Sequence, residues 1–383
     1  MREPSVAIAG CGVISAVGRG VKALQKALES NSTGLRPCER FNSSRFQSSI
    51  VGAALENGAA ADDPAHALVT EAMREARENA AAILDKLPAN RIGLVLSTTK
   101  ANIDALERVS DGRACSDFAR RHLLADALAA DLASEYGIRG PIQNVSVACV
   151  SGLIALMQGA KLIQRNLADA VFVVGVDHLS AFVMAGFTAL KAIDPEGCRP
   201  FDRERCGLTP GEAGAAIVLT RADLVSNRAV TIRGWGSSND ANHMTGPSRD
   251  GSGLAQAIRS ALAFAQLQAR EIDYVNAHGT GTPYNDAMES AALRTIFGDA
   301  SPPVSGLKGM LGHTLGAAGV IETIASVLAM QNGLLPGTPR LNAAAEGMPA
   351  SIAMKPRAMK LSRVLKLNTG FGGVNGALIL QNG

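Results

Sequence analysis

Residues 170–176 read Ala-Val-Phe-Val-Val-Gly-Val, with no polar side chain at either parity. A strand of that kind has no face for water, so elements must cover both its faces, as in a sheet layered between helices. The rest of the chain supplies such elements. In the first half, strands are expected at residues 6–9, 92–96, 144–147 and 215–219, with helices over 18–30, 63–83, 116–136, 150–163 and 181–192. Asp223 to Arg228 reads as a connection, and the pattern then restarts. Strands follow at 230–234, 274–277, 365–368 and 377–380, with helices over 252–267, 286–296 and 317–330. Each half places a Gly/Ala-rich helix near its middle. The expectation is an α/β chain of two similar halves, 1–227 and 228–383, with parallel sheets between helical layers. Composition agrees: the chain has 40 glycines and only 4% aromatic residues, which suits helices lying close against sheet.

The remaining bounds are mostly exclusions. The charge balance of 37 basic and 34 acidic residues gives +3, so neither nucleic acid nor an anionic membrane is implied as a partner. Six cysteines without a CxxC pair or regular spacing indicate a reducing, cytoplasmic setting, with neither a disulfide framework nor a metal site. No apolar run is long enough to span a membrane. The apolar start from Val6 is broken by Gly10 and Gly12, so it reads as a strand and a Gly-rich turn rather than a signal peptide. Gly10-Cys-Gly12 lacks the third glycine and the later acidic residue of a dinucleotide site.

Chemistry concentrates at a strand-to-helix joint. In Asn144-Val-Ser-Val-Ala-Cys149-Val-Ser-Gly, the spacing changes from alternating to helical at Val150. Cys149 sits at the joint, where the unpaired N–H groups of a first helical turn favour a thiolate. The ordinary fate of a free cysteine is inert burial, so this stretch needs support from elsewhere.

That support lies in the second half. Asn276-Ala-His278-Gly-Thr280-Gly-Thr282-Pro puts a histidine and two hydroxyls on alternate positions after a strand end, where ligands bind in α/β sheets. Ser305-Gly-Leu-Lys308-Gly-Met-Leu-Gly-His313 leads into a helix carrying Glu322. The helix start should hold His313 as a neutral imidazole that donates a hydrogen bond. Asn368-Thr-Gly-Phe371-Gly-Gly-Val-Asn sets one large ring among glycines. A cysteine at a helix start plus two histidines on glycine-rich loops is the minimum set for thioester chemistry through an enolate.

Taken together and in this order, these motifs resemble those of the β-ketoacyl-acyl carrier protein synthases, condensing enzymes of the thiolase fold, over nearly the whole chain. Asn242-His-Met-Thr245-Gly-Pro and Arg199-Pro-Phe-Asp202 also look like family segments. The resemblance implies a five-layer αβαβα arrangement and an elongating, acyltransferase activity of the Cys-His-His type. It implies Cys149, His278, His313 and Lys308 as catalytic residues, with Glu322 as the charge partner of Lys308. It implies Phe371 as gate and oxyanion-hole donor, and Thr280, Thr282 and Thr245 as binders of a phosphopantetheine arm that arrives on acyl carrier protein. No metal or separate cofactor is implied. The resemblance further implies a dimer paired through a strand of the first half. A homodimer is expected first, with a heterodimer containing a synthase-like subunit as the alternative. Ile103 then sets pocket depth and Lys100 meets a partner. A chain-length-factor type subunit is the competing reading, and such subunits lack the cysteine. The segment from Ser97 to Ile103 looks more like synthases of polyene or polyketide clusters than those of housekeeping fatty acid synthesis.

Overall fold

The computed structural model describes residues 5–38, 40, 45–55, 62–226, 228–298, 300–349 and 351–383; residue 227, the expected end of the first half, lies outside them. Ten strands form one hydrogen-bonded path: β1 (Val6–Ser15), β2 (Ile92–Ser97), β3 (Ile142–Val145), β4 (Ala170–Asp177), β5 (Ala213–Arg221), β6 (Thr231–Asn239), β7 (Tyr274–Asn276), β8 (Val304–Ser305), β9 (Arg363–Gly370) and β10 (Val374–Gln381). Their spatial order is β8-β7-β9-β10-β6-β1-β5-β4-β2-β3. Each half therefore repeats one plan. Its first strand lies innermost and pairs antiparallel with its last, the last pairs antiparallel with the one before, and the outer three run parallel. The sheets are thus mixed, where the sequence reading expected parallel ones. The halves join where Val6 meets Ile232 and Ala7 meets Thr231.

Six helices build the layers: α1 (Pro64–Asn79), α2 (Ala125–Glu135), α3 (Ser151–Gln164), α4 (Ser252–Ala265), α5 (Pro283–Phe297) and α6 (Ala318–Asn332). The outer pair α1 and α2 closes one apolar cluster against the first sheet, and α4 and α5 close another against the second. Between the sheets lie α3 and α6, which touch each other and strands of both halves. That is the expected αβαβα order. The two central helices cross backbone to backbone. A Cβ on Gly319 would stand 2.2 Å from the Leu153 nitrogen, and one on Gly152 would stand 2.8 Å from the Val320 nitrogen. Only glycine permits that approach, which brings the helix starts, and so the loops feeding them, into one place.

Two expectations fail locally. Gly10 and Gly12 form no turn; β1 continues through them, with a shift of register against β5 between Ile8 and Gly10. Their hydrogens face α1, where a Cβ would lie 2.5 Å from the Ala76 carbonyl oxygen and 2.0 Å from that of Ala72. The glycines are there for close helix–sheet packing. The single helix expected over 116–136 is two pieces, Asp117–Arg121 and α2. His122 separates them. Its ring bridges Asp63 and Asp131, and its carbonyl accepts from the Asn102 N–H. Asp63 also caps α1 by accepting from the His66 N–H at 2.9 Å, ahead of Pro64 in the first turn. Among the described residues, no helix is long and apolar enough to cross a membrane.

Candidate active site

The chain turns sharply between β3 and α3. Ala148 takes a left-handed conformation at φ 45°, a position that costs a residue with a Cβ roughly 1–3 kcal/mol unless neighbours enforce it. Ser151 enforces it: its fully buried hydroxyl accepts from the Val147 N–H at 2.7 Å and donates to the Ala148 carbonyl at 2.6 Å. The turn holds Cys149 in the wall of a cavity of about 490 Å³. Val183, Leu315 and Phe187 pack around the sulfur.

Burial dominates the chemistry of that sulfur. It pushes the Cys149 thiol up to about 12, against the opposing pulls of Lys308 and of the Phe371 N–H, which bonds toward the sulfur. Burial thus opposes the thiolate that the helix start favours.

Both histidines line the same cavity, with ring centroids 5.2 Å apart and planes at 80°. His278 stands just past β7, and its loop is fixed from below by Glu289, which accepts from the His278 and Gly279 N–H groups at 2.7 Å each. Its Nδ1 lies 3.2 Å from Lys308 Nζ and 3.0 Å from Asn368 Nδ2. Both neighbours are donors, so Nδ1 carries the lone pair and Nε2 carries the proton. His313 is set likewise, its Nδ1 accepting from the Leu315 N–H at 3.4 Å. Burial first and Lys308 second hold both rings neutral: His278 well below the usual histidine range, and His313 at about 3. The neutral His313 expected from a helix dipole is thus present, mainly for another reason, desolvation.

Behind the rings, Glu322 Oε1 meets Lys308 Nζ at 2.6 Å and Oε2 meets Lys366 Nζ at 2.8 Å, all fully or nearly fully buried. The two ammoniums keep Glu322 ionised, below the usual carboxylate range, against its burial. The Lys308–Glu322 pair is as expected from the sequence; Lys366 and Asn368 were not foreseen.

The structure brings Cys149, His278, His313, Thr245, Thr280, Thr282 and Phe371 to one cavity. The Thr280 and Thr282 hydroxyls share a 2.8 Å hydrogen bond. Phe371 is 36% exposed at the edge, its ring 6.1 Å from that of Phe187. Tyr284, 73% exposed, stands at the same mouth. Ile103 is not among the lining residues; it opens a helix running to Ser110. Lys100 makes no outward contact: its side chain, 5% exposed, pairs with Asp177 at 3.1 Å. Asp177 also accepts from Thr98, Thr99 and the Gly316 N–H, tying the His313 loop to the first half.

With this geometry in view, the comparisons decide the family. The pattern described as beta-ketoacyl synthase, N-terminal domain, matches residues 3–224, and beta-ketoacyl synthase, C-terminal domain, matches residues 229–342. The chain belongs to the β-ketoacyl synthase family. It is 32% identical over 416 residues to 3-oxoacyl-[acyl-carrier-protein] synthase 2 of Coxiella burnetii, covering 100% of this chain and 99% of that protein. It is 32% identical to the tetracenomycin polyketide synthase ketoacyl synthase alpha subunit of Streptomyces glaucescens, covering 99% and 97%. Among solved structures, the ishigamide ketosynthase/chain length factor superposes with a TM-score of 0.91 at 29% identity, covering 100% of both chains. This β-ketoacyl synthase thus has the thiolase-like architecture along its whole length.

Proposed function

We propose that this β-ketoacyl synthase is an elongating 3-oxoacyl-[acyl-carrier-protein] synthase of fatty acid or polyketide biosynthesis. The observation that carries the reading is one cavity lined by a buried thiol, two neutral imidazoles presenting Nε2–H, and the loop of Phe371. In the first step the Cys149 sulfur attacks the thioester carbonyl of an acyl-carrier protein. The carbon–sulfur bond to pantetheine breaks, and the Cys149 proton ends on the departing pantetheine sulfur. The N–H groups of Cys149 and Phe371 hold the oxyanion of the tetrahedral intermediate. Malonyl-carrier protein then enters. Its carboxylate leaves as carbon dioxide, and the electron pair of the broken bond passes to the thioester enolate. His278 and His313 donate to that oxygen; as neutral donors they do so without surrendering a proton to it. The enolate carbon attacks the acyl-Cys149 carbonyl, the carbon–sulfur bond breaks, and the sulfur takes up a proton to give back the thiol.

Lys308 and Glu322 orient His278 and balance charge. Thr280, Thr282 and Thr245 bind the pantetheine arm at the cavity mouth, and Phe371 gates the acyl side. No metal and no separate cofactor enter, since decarboxylation drives the condensation. A chain-length-factor role is disfavoured because Cys149, His278, Lys308 and His313 are all present and brought together. Acyl carrier protein is the partner, in a cytoplasmic setting that suits six free cysteines. The named ketosynthase/chain length factor supports a dimer, either with a second copy or with a synthase-like subunit. So does β3, whose outer edge is unpaired at the end of the sheet, with Ile142 45% exposed. Ile103 sets acyl depth in that dimer. Mass spectrometry of Cys149 after incubation with a panel of acyl-carrier proteins, followed by malonyl-carrier protein, tests the assignment. Acyl-Cys149 and a product two carbons longer are expected; acylation elsewhere, or none with any acyl group, refutes it.

A further inference from the structure

Lys366 has no role in the steps above, yet it is one of the largest fully buried side chains. It sits on β9 in register with Asn276 of β7. Its ammonium meets only oxygens: Leu367 carbonyl at 2.6 Å, Glu322 Oε2 at 2.8 Å, Ala277 carbonyl at 3.3 Å and Asn276 carbonyl at 3.4 Å. Asn276 and Ala277 are the two residues directly before His278. Glu322 in turn holds Lys308, and Lys308 holds His278. On the same strand, two residues on, Asn368 donates to both His278 Nδ1 and Glu322 Oε2. The groups therefore close a ring from the strand end through Lys366, Glu322 and Lys308 back to the imidazole. Glu289, which holds the His278 backbone, acts on Lys366 as Glu322 and Lys308 do, and Lys366 in turn acts on His278 and His313.

A compact point charge surrounded by three carbonyls and a carboxylate is what an oxygen cage offers to a small cation. We infer that Lys366 is a positioning residue, a cation tethered to the chain. It fixes the strand end that carries His278 and the carboxylate that holds Lys308 and Asn368, the two donors that set the tautomer of that ring. Cutting the side chain back should then leave a cage that takes a free monovalent cation. The inference rests on the proposed function for its kinetic readout but not for its binding readout.

The test compares Lys366→Met, which fills the space without charge, with Lys366→Ala, which empties it. Lys366→Met should lower kcat for malonyl-carrier decarboxylation about 10- to 100-fold, the range seen when groups that orient reacting ligands are removed. KM and the acylation of Cys149 should stay within about threefold, because neither depends on the tautomer of His278. In Lys366→Ala, ammonium or methylammonium should restore at least about tenfold of the lost rate in a saturable manner. The same cations should raise the Tm of the variant but not of the parent, and tetramethylammonium, too large for the cage, should do neither. A variant that folds only when ammonium is present supports the cage as well. Parental decarboxylation in Lys366→Met overturns the inference. So does a folded Lys366→Ala protein whose rate and Tm ignore all three cations, and so does failure to fold in any of them. A parent protein inactive on malonyl-carrier protein, combined with an ammonium-dependent Tm in Lys366→Ala, refutes the proposed function and leaves the cage standing.

Discussion

The two halves of this synthase repeat one strand plan, yet they deliver opposite goods to the centre. The chain entering α3 brings a sulfur into an apolar shell of Val183, Leu315 and Phe187. The second half brings an imidazole, His278 past β7, into a polar one, held by Lys308 with Glu322 and Lys366 behind it. Dehydration acts on both but with opposite sign. It raises the thiol to about 12 and lowers His313 to about 3, so each group is held neutral. The Lys–Glu–Lys set lies behind the imidazoles. On the proposed function this is a division of labour: the first half supplies the bond-forming atom, and the second supplies preorganised donors that need not change protonation.

The hardest blow to that division is removal of the sulfur. Cys149→Ala should cut condensation by about 10⁴-fold or more, the scale seen when a covalent nucleophile is lost. Release of carbon dioxide from malonyl-carrier protein should persist, because the second half is untouched. Condensation at anything near the parental rate would mean that the first half is not the bond-forming one.

The converse cut is smaller. His278→Ala and His313→Ala should each lower decarboxylation about 100- to 1,000-fold, as for loss of one donor to a developing oxyanion. Both variants should still become acylated at Cys149, read by mass spectrometry. If neither variant takes up an acyl group, the histidines serve the thiol, and the division collapses.

Acid sharpens the comparison through stability. His313 has a folded-state value of about 3 against about 6.5 when unfolded. Its value is depressed on folding, so the unfolded state binds more protons between these values. The contribution is intact above pH 6.5 and is lost as pH falls from 6.5 toward 3, up to about 5 kcal/mol for so buried a group. His313→Asn removes that term, so denaturation followed by circular dichroism should show its stability falling less between pH 6.5 and 4 than that of the parent. An equal or steeper fall would show that His313 is protonated when folded. The Cys149 thiol has the opposite sign: its value is raised, so its contribution is present below about pH 9 and fades as pH climbs toward 12.

These contrasts were unevenly legible in the sequence. Cys149, His278, Lys308 and His313 were readable because each stands where a strand or loop meets a helix, among small residues that leave it room; Glu322, inside α6, came from the resemblance. The burial that raises the Cys149 thiol was not readable, since the helix start is visible in sequence and the depth of burial is not. Gly10 and Gly12 misled because a glycine that ends a strand and one that admits a helix look alike. Lys366 escaped notice although it interrupts an apolar strand between Leu365 and Leu367, where a lone lysine ordinarily faces water. Its buried register opposite Asn276 comes only from the pairing of β9 with β7. Lys100 was read as facing a partner because Asp177, its ion pair, lies 77 residues away.

The smallest predicted effect lies at the cavity mouth, where neither half's chemistry is at stake. Thr280 and Thr282 bond to each other at 2.8 Å while lining the cavity, so at most part of their hydrogen-bonding capacity faces the pantetheine arm. Thr280→Val keeps the shape and removes one hydroxyl. A single neutral hydrogen bond is worth about 0.5–1.5 kcal/mol, so KM for malonyl-carrier protein should rise roughly 2- to 12-fold. Because the arm is held alike before and during reaction, kcat should hold within about twofold. Steady-state kinetics of decarboxylation separates the two constants. An equal drop in kcat and kcat/KM would place the hydroxyl in the transition state beside the imidazoles, and the mouth would then belong to the donor array of the second half.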